Sequence, residues 1–220
     1  MNKFMEQAIA IKDDIVEYRR VIHSNPEVGA ELPKTKAYVM DKLRELGYEP
    51  KEICESGIVA TIEGPKPGKT FLLRADMDAL PMEETPNCDF ASKNGAMHSC
   101  GHDMHTAMLL GAAKLLRQNQ DQIEGTVKLV FQPDEEGFTG AKKMIEAGVL
   151  QNPKVDAAMA MHVHSGTPSN LILCGLGTSI GGCYRFRIAV KGTGCHGAMP
   201  ELGADPINIA THIYLSLQEI

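Results

Sequence analysis

Between His98 and His105 the chain places three histidines and one cysteine within eight residues, in the stretch GAMHSCGHDMHTAMLLGAA over Gly95–Ala113. Imidazole and thiolate are metal ligands, and a cysteine beside histidines is also a nucleophile beside its base. Cys100 and His102 stand two apart, so in an extended segment they face the same side, as two ligands of one ion do. Asp103 is placed to cap a helix starting at Met104, which sets Cys100 and His102 on the loop ahead of it. Other groups lie further along: Asp76 with Asp78 just beyond, Glu135 and Glu136, and His162. Cys100, His102, Glu136 and His162 together supply the sulfur, imidazole and carboxylate donors that suit zinc, manganese, cobalt or nickel better than magnesium or calcium. A metal hydrolase needs one carboxylate to hold the ion and another to take a proton from water, which two adjacent glutamates provide. Their adjacency does not say which does which.

Two other chemistries compete. Cys100 as a nucleophile, with His102 or His162 as base, leaves the paired glutamates without a task. Gly192–Gly197 fits G-x-G-x-x-G after a strand-like run, but Pro200 follows and no helix starts there, so the context of a dinucleotide site is missing. His98 reads as a polar loop residue. His105, on the first helical turn, reads as a local hydrogen-bonding group or a ligand contact.

The elements that carry these residues alternate. Residues 4–24 read as a helix, with Ile9, Ile15, Val16 and Ile22 at helical spacing, and residues 34–46 as a second, stopped by Gly47. GIVATIEG follows as a strand. Three short apolar runs, KTFLLRAD (69–76), GTVKLVFQ (125–132) and VDAAMAMH (155–162), are separated by helices at about 104–118 and at TGAKKMIEAG. The pattern predicts an α/β domain with a mostly parallel central sheet flanked by helices. Each of the three runs ends in chemistry: Asp76, then Glu135 and Glu136, then His162. Ligands in open α/β sheets sit at the carboxyl ends of strands, so one shared site is expected. The Gly-rich GLGTSIGG reads as a linker at Gly177. YRFRIAVKG then reads as a half-buried strand with Tyr184, Phe186, Ile188 and Val190 on one face. This divides the chain into residues 1–177 and 178–220.

Composition excludes several classes. The 220 residues carry a formal net charge of −6, with 43% hydrophobic and 23% charged residues, and a pI near 5.8. No basic stripe points to nucleic acid. No window is apolar for the length of a membrane span, and MNKFMEQAIAIKDD lacks the apolar core of a signal peptide. The six cysteines are scattered without a CxxC pair, which fits reduced thiols in the cytoplasm. DPINIATHIYLSLQEI reads as an amphipathic helix with no stop signal, so the sequence reads as the N-terminal part of a longer chain. A non-catalytic metal- or peptide-binding remnant, lacking the second half of a site, is the alternative to an enzyme.

LLRADMDALPMEE, GAMHSCGHDMHTAMLLGAAKLL, VKLVFQPDEEGFTGAKKMIEAGVL, AMHV and VKGTGCHGAMPELGADPI occur in that order, with YRRVIHSNPEVGAEL near the start. The set resembles the metal-dependent aminoacylase/carboxypeptidase family, in its branch of N-acyl-amino-acid amidohydrolases, hippurate hydrolases, indole-acetyl-amino-acid hydrolases and N-acetyl-diaminopimelate deacetylases. The resemblance implies a catalytic α/β domain interrupted by a small α+β, ferredoxin-like lid that often forms a homodimer. It implies one or two divalent metals and hydrolysis of the amide bond of N-acyl amino acids or small peptide-like substrates. By motif, Cys100, His102, Glu136 and His162 match metal ligands, Glu135 the general base and Asp76 an orienting carboxylate. His196 in GCHGAMP matches a lid histidine that stabilises the oxyanion from a partner subunit. Three features depart from the pattern. The last metal-ligating histidine of the longer relatives has no counterpart here. Cys195 and Glu201 replace a glycine and a histidine of the lid motif. Asp134 replaces an alanine beside the glutamates.

Overall fold

The computed structural model describes residues 2–86, 88–178 and 181–219, so Ser179 and Ile180 of the Gly-rich linker lie outside the described residues. The chain divides into two compact units, residues 1–167 and 168–220, a boundary ahead of the Gly-rich stretch that marks it in the sequence.

The first unit is built on five strands: β1 (Lys51–Cys54), β2 (Gly57–Glu63), β3 (Lys66–Asp76), β4 (Glu124–Gln132) and β5 (Ala157–Ala160). Their order across the sheet is β1-β2-β4-β3-β5. β3 lies parallel to both β4 and β5. β2 runs antiparallel to both β1 and β4. Four strands therefore run one way, as a mostly parallel sheet requires, and β2 alone runs against them, which makes the sheet mixed. A hairpin between β1 and β2 needs only a short turn, whereas the parallel strands need helical crossovers. The parallel part is the part that matters for the site, because it points the ends of β3, β4 and β5 to one edge.

Helices cover both faces of the sheet. α3 (Pro33–Glu45) opens with Pro33, buries Thr35, Val39 and Leu43 at helical spacing, and stops before Gly47 at φ +82°. With α4 (His102–Gln118) it packs a core in which Leu43, Ile58, Leu110, Leu129 and Phe131 are fully buried. α5 (Gly140–Glu146) covers a smaller cluster of Leu72, Val130, Met144 and Val149. The expected helix over 4–24 is broken at Ile11 into α1 (Lys3–Ala10) and α2 (Lys12–His23). The break buries Ile11 and leaves Ile9 exposed. Ile11 and Ile15 both pack against the space a side chain would fill at Gly111 of α4.

One polar residue of β4 is spent on the fold. Lys128 is 2% exposed, and its ammonium donates to the carbonyls of Val149 (2.9 Å), Gln151 (2.8 Å) and Pro153 (3.0 Å). All three of its protons are used, and burial pulls its pKa down. Lys128→Met keeps the aliphatic stem and strips the turn of its donor. The expected loss is about 3 kcal/mol of unfolding free energy, read as a lower urea midpoint at unchanged slope.

The second unit holds one regular helix among its described residues, α6 (Pro206–Leu217), whose cap Asp205 accepts from the amides of Ile207 and Asn208. The strand expected over YRFRIAVKG does not form. Tyr184 and Phe186 are exposed, because alternation supplies an apolar face but no neighbouring strand to pair with. The ferredoxin-like lid is accordingly not present as paired strands among the described residues. None of the described helices is long and apolar enough to cross a membrane.

Candidate active site

Three parallel strands deliver their C-terminal residues side by side. Asp76 of β3 is in register with Gln132 of β4, and Arg74 with Ala160 of β5. Glu135 and Glu136 follow β4, His162 follows β5, and the N-terminus of α4 enters the same edge with Cys100 and His102. Ligand atoms of Cys100, His102 and His162 lie within 4.8 Å of one another, as do those of His102, Glu135 and Glu136, and of Asp76, His102 and His105. Six residues expected at the site from sequence, Asp76, Cys100, His102, Glu135, Glu136 and His162, thus share one edge of the first unit. His196 belongs to the second unit, where its Nδ1 accepts the Ala198 N–H at 3.1 Å.

The start of α4 differs from the expectation. The helix begins at His102, and its N-cap is Gly101 at φ +89°, a conformation glycine adopts without penalty. Asp103 is not the cap. It lies inside the first turn, fully buried, and its carboxylate accepts from Arg19 Nε (3.0 Å) and His23 Nδ1 (2.8 Å) of α2. The other nitrogen of His23 meets Glu84 Oε1 at 2.9 Å, and Glu84 Oε2 accepts the Ser92 N–H at 2.6 Å. The Asp103 hydrogen bond raises the His23 pKa against the opposing effect of burial. With one ring nitrogen on each carboxylate, His23 therefore ties α2, α4 and the loop that leads to Cys100. His98 is buried beside this network, and burial lowers its pKa to about 4.

Backbone hydrogen bonds set the tautomers at the site. His102 Nδ1 donates to the Asp78 carbonyl at 2.8 Å, so in the neutral ring the lone pair lies on Nε2. That Nε2 is buried without a hydrogen-bond partner, 3.8 Å from Asp76 Oδ2 and 3.9 Å from Glu135 Oε2. His162 Nδ1 donates to the Val163 carbonyl at 2.6 Å, which leaves its Nε2 facing Cys100 Sγ at 3.4 Å. Two imidazole lone pairs, a thiol and two carboxylates around one point are a donor set that fits a divalent cation.

The carboxylate that organises the glutamates is Asp78, which the sequence reading passed over in favour of Asp76. Asp78 accepts the Glu135 N–H at 3.0 Å and the Glu136 N–H at 3.1 Å, one on each oxygen. It thereby fixes the backbone that presents both side chains. Asp76 accepts from His105 Nδ1 at 2.6 Å and pairs with Arg74 at 2.7 Å. Burial pushes the Asp76 carboxyl up, but the His105 bond and the Arg74 charge outweigh it and hold the pKa at about 2. The sequence signal for Arg74 was its two-residue spacing from Asp76 on one strand face.

Asp134 also has a structural task. It sits at φ +51°, its carboxylate accepts from the Thr139 hydroxyl, and its carbonyl accepts the Gly140 N–H at 3.2 Å. It braces the turn that carries the glutamates, as a short polar side chain does in a left-handed conformation.

Cys100 bears on the thiol alternative. Burial, Glu136, Glu135 and Asp76 push its pKa up to about 12. Without a cation the sulfur stays protonated at neutral pH, which is the reverse of an activated nucleophile.

A family model described as peptidase family M20/M25/M40 matches residues 72–212 of the chain. Thermostable carboxypeptidase 2 of Saccharolobus solfataricus is 45% identical over 218 residues, covering 97% of this chain and 55% of that protein. The N-acyl-L-amino acid amidohydrolase of Geobacillus stearothermophilus is 39% identical over 213 residues, covering 96% of this chain and 57% of that protein. Among solved structures, the YXEP protein of Bacillus subtilis, described as a dinuclear metal-binding peptidase of family M20, superimposes with a TM-score of 0.69 at 40% identity. That match covers 72% of this chain and 45% of the other. The chain spans about half the length of the curated relatives it matches.

Proposed function

The chain belongs to peptidase family M20/M25/M40, and from that premise we propose that the whole protein hydrolyses the amide bond of N-acyl amino acids or small peptide-like substrates, using one or two divalent metal ions. The observation that carries this reading is the gathering of Cys100, His102, Glu135, Glu136 and His162 at three adjacent strand ends, with a buried, unpartnered His102 Nε2 aimed among carboxylates. The names of the relatives support the substrate class.

Cys100, His102, Glu136 and His162 would hold the ion. A divalent ion there supplies Lewis acidity to the scissile carbonyl and to the attacking water. Glu135, with its backbone fixed by Asp78, accepts the proton from water and passes it to the leaving amine nitrogen. Peptide hydrolysis then balances: the carbonyl carbon gains a hydroxyl, and the nitrogen gains the proton. His196, matched by motif, donates to the developing oxyanion. In this reading residues 1–177 form the catalytic domain and residues 178–220 begin a lid. In a homodimer one subunit's His196 would serve the other's site. A cytoplasmic location belongs to the same proposal, supported by six cysteines that are all free. The binding-remnant alternative gives Glu135 no task.

The test is release of free amino acid from N-acetyl and N-benzoyl amino acids, before and after dialysis against a chelator. The expected result is turnover that the chelator removes and added zinc, manganese, cobalt or nickel restores. Turnover that ignores the chelator but is stopped by a thiol reagent overturns the proposal.

A further inference from the structure

His105 makes two hydrogen bonds that together define its state. The Val163 N–H donates to His105 Nε2 at 2.9 Å, so that nitrogen is unprotonated. Nδ1 therefore carries the proton and gives it to Asp76 Oδ1 at 2.6 Å. Both ring nitrogens are spent, although His105 belongs to one of the groups that could surround an ion. Its ring is buried and stands 4.5 Å from that of His162, edge on.

The partner of Nε2 is the residue after His162. β5 ends at Ala160, so His162 and Val163 lie beyond the last sheet pairing, and His162 is exposed. Among the described residues they hydrogen-bond to Cys100, to His105 and to each other. The Val163 amide is held by His105, and the Val163 carbonyl is held by His162 Nδ1 at 2.6 Å. The Val163 side chain fills the space where a Cβ at Gly101 would be. That contact lies between Cys100 and His102 in sequence.

We propose that His105 is the positioning residue for His162, acting through the Val163 N–H to set the approach of His162 Nε2 to Cys100 Sγ. The proposal rests on the reading of Cys100 and His162 as ligands of one ion. His102 and His105, three apart on the first turn of α4, then divide the work: one offers a lone pair to the site, and the other fastens the neighbouring strand end. A ligand whose backbone is held arrives pre-oriented, and loss of such outer partners typically weakens metal binding 10–100-fold.

Two variants of the full chain separate this role from a merely structural one. In His105→Gln the side-chain carbonyl reaches the place of Nε2 and can still accept from Val163. In His105→Asn the amide reaches only the place of Nδ1 and can serve Asp76 alone. Two quantities are read: exchange of the Val163 amide by NMR in metal-free protein, and Co(II) affinity by chelator competition with the thiolate-to-cobalt absorption band. The expectation for His105→Asn is roughly tenfold faster Val163 exchange and roughly 10–100-fold weaker Co(II) binding with a weakened sulfur band. His105→Gln should stay within about threefold of the parent in both, the limit set by a retained hydrogen bond. The opposite pattern, with Asn preserving both and Gln losing them, assigns the role to the Asp76 contact and overturns the proposal. Equal loss in both variants, or no change in either, also overturns it. If the parent chain binds no Co(II), the metal reading fails, and the Val163 exchange pattern still decides the His105 bond.

Discussion

On the proposed function, Glu135→Gln is expected to leave the fold and the bound metal in place and to lower kcat on N-acyl amino acids by roughly 10²- to 10⁴-fold, the usual worth of a positioned acid–base group. The substitution is isosteric. It keeps the Glu135 backbone on Asp78 Oδ1 (3.0 Å), because that bond uses the amide and not the side chain. It removes only the ability to take up a proton. The Glu135 side chain is 35% exposed, with Oε2 3.9 Å from His102 Nε2, so it reaches the centre of the site while remaining open to an incoming water. Glu136, on the adjacent peptide, is the partner of Cys100 that helps hold the thiol pKa high. The variant's kinetics and its metal content by elemental analysis check the prediction together. Near-parental turnover removes Glu135 from the base role, and loss of metal with loss of turnover moves it among the ligands.

Gly101→Ala destabilises the protein by about 3 kcal/mol from two sources that add: about 1–2 kcal/mol for a side chain in the left-handed region, and the remainder for overpacking. Gly101 caps α4 at φ +89°, and a Cβ there overlaps the Val163 side chain. Relief requires either the cap to open or Val163 to withdraw. The first moves Cys100 and His102, and the second moves His162. Metal affinity therefore falls along with the urea midpoint, which chelator competition and denaturant titration measure side by side. A midpoint equal to that of the parent contradicts the cap geometry.

The site residues were legible because an apolar run leads into each: Ala75 before Asp76, Phe131 and then Gln132 before the Pro133–Gly137 turn, Met161 before His162. The order of the strands was not legible. Periodicity assigns faces and says nothing of neighbours, so the antiparallel β2 inside the sheet came only with the structure. The same limit explains the false strand over YRFRIAVKG. Asp103 was read as a cap because its neighbours in sequence made it one, whereas its partners Arg19 and His23 lie more than 75 residues away. In the D-M-D run, spacing alone cannot say which acid meets the turn after β4. Asp78 does so through the two glutamate amides, while Asp76 turns to His105 and Arg74. His105 was set between a local hydrogen bond and a ligand contact, since its partner Val163 arrives from the segment after β5, 58 residues away.

Cys100 and His162 meet at 3.4 Å, and the proposed function places them with His102 and Glu136 in one metal site. Metal-edge X-ray absorption on the zinc-loaded protein tests it most directly. One sulfur scatterer at about 2.3 Å beside nitrogen and oxygen at about 2.0–2.2 Å is expected, with the sulfur lost in Cys100→Ser. A first shell of nitrogen and oxygen only, unchanged by Cys100→Ser, would contradict it.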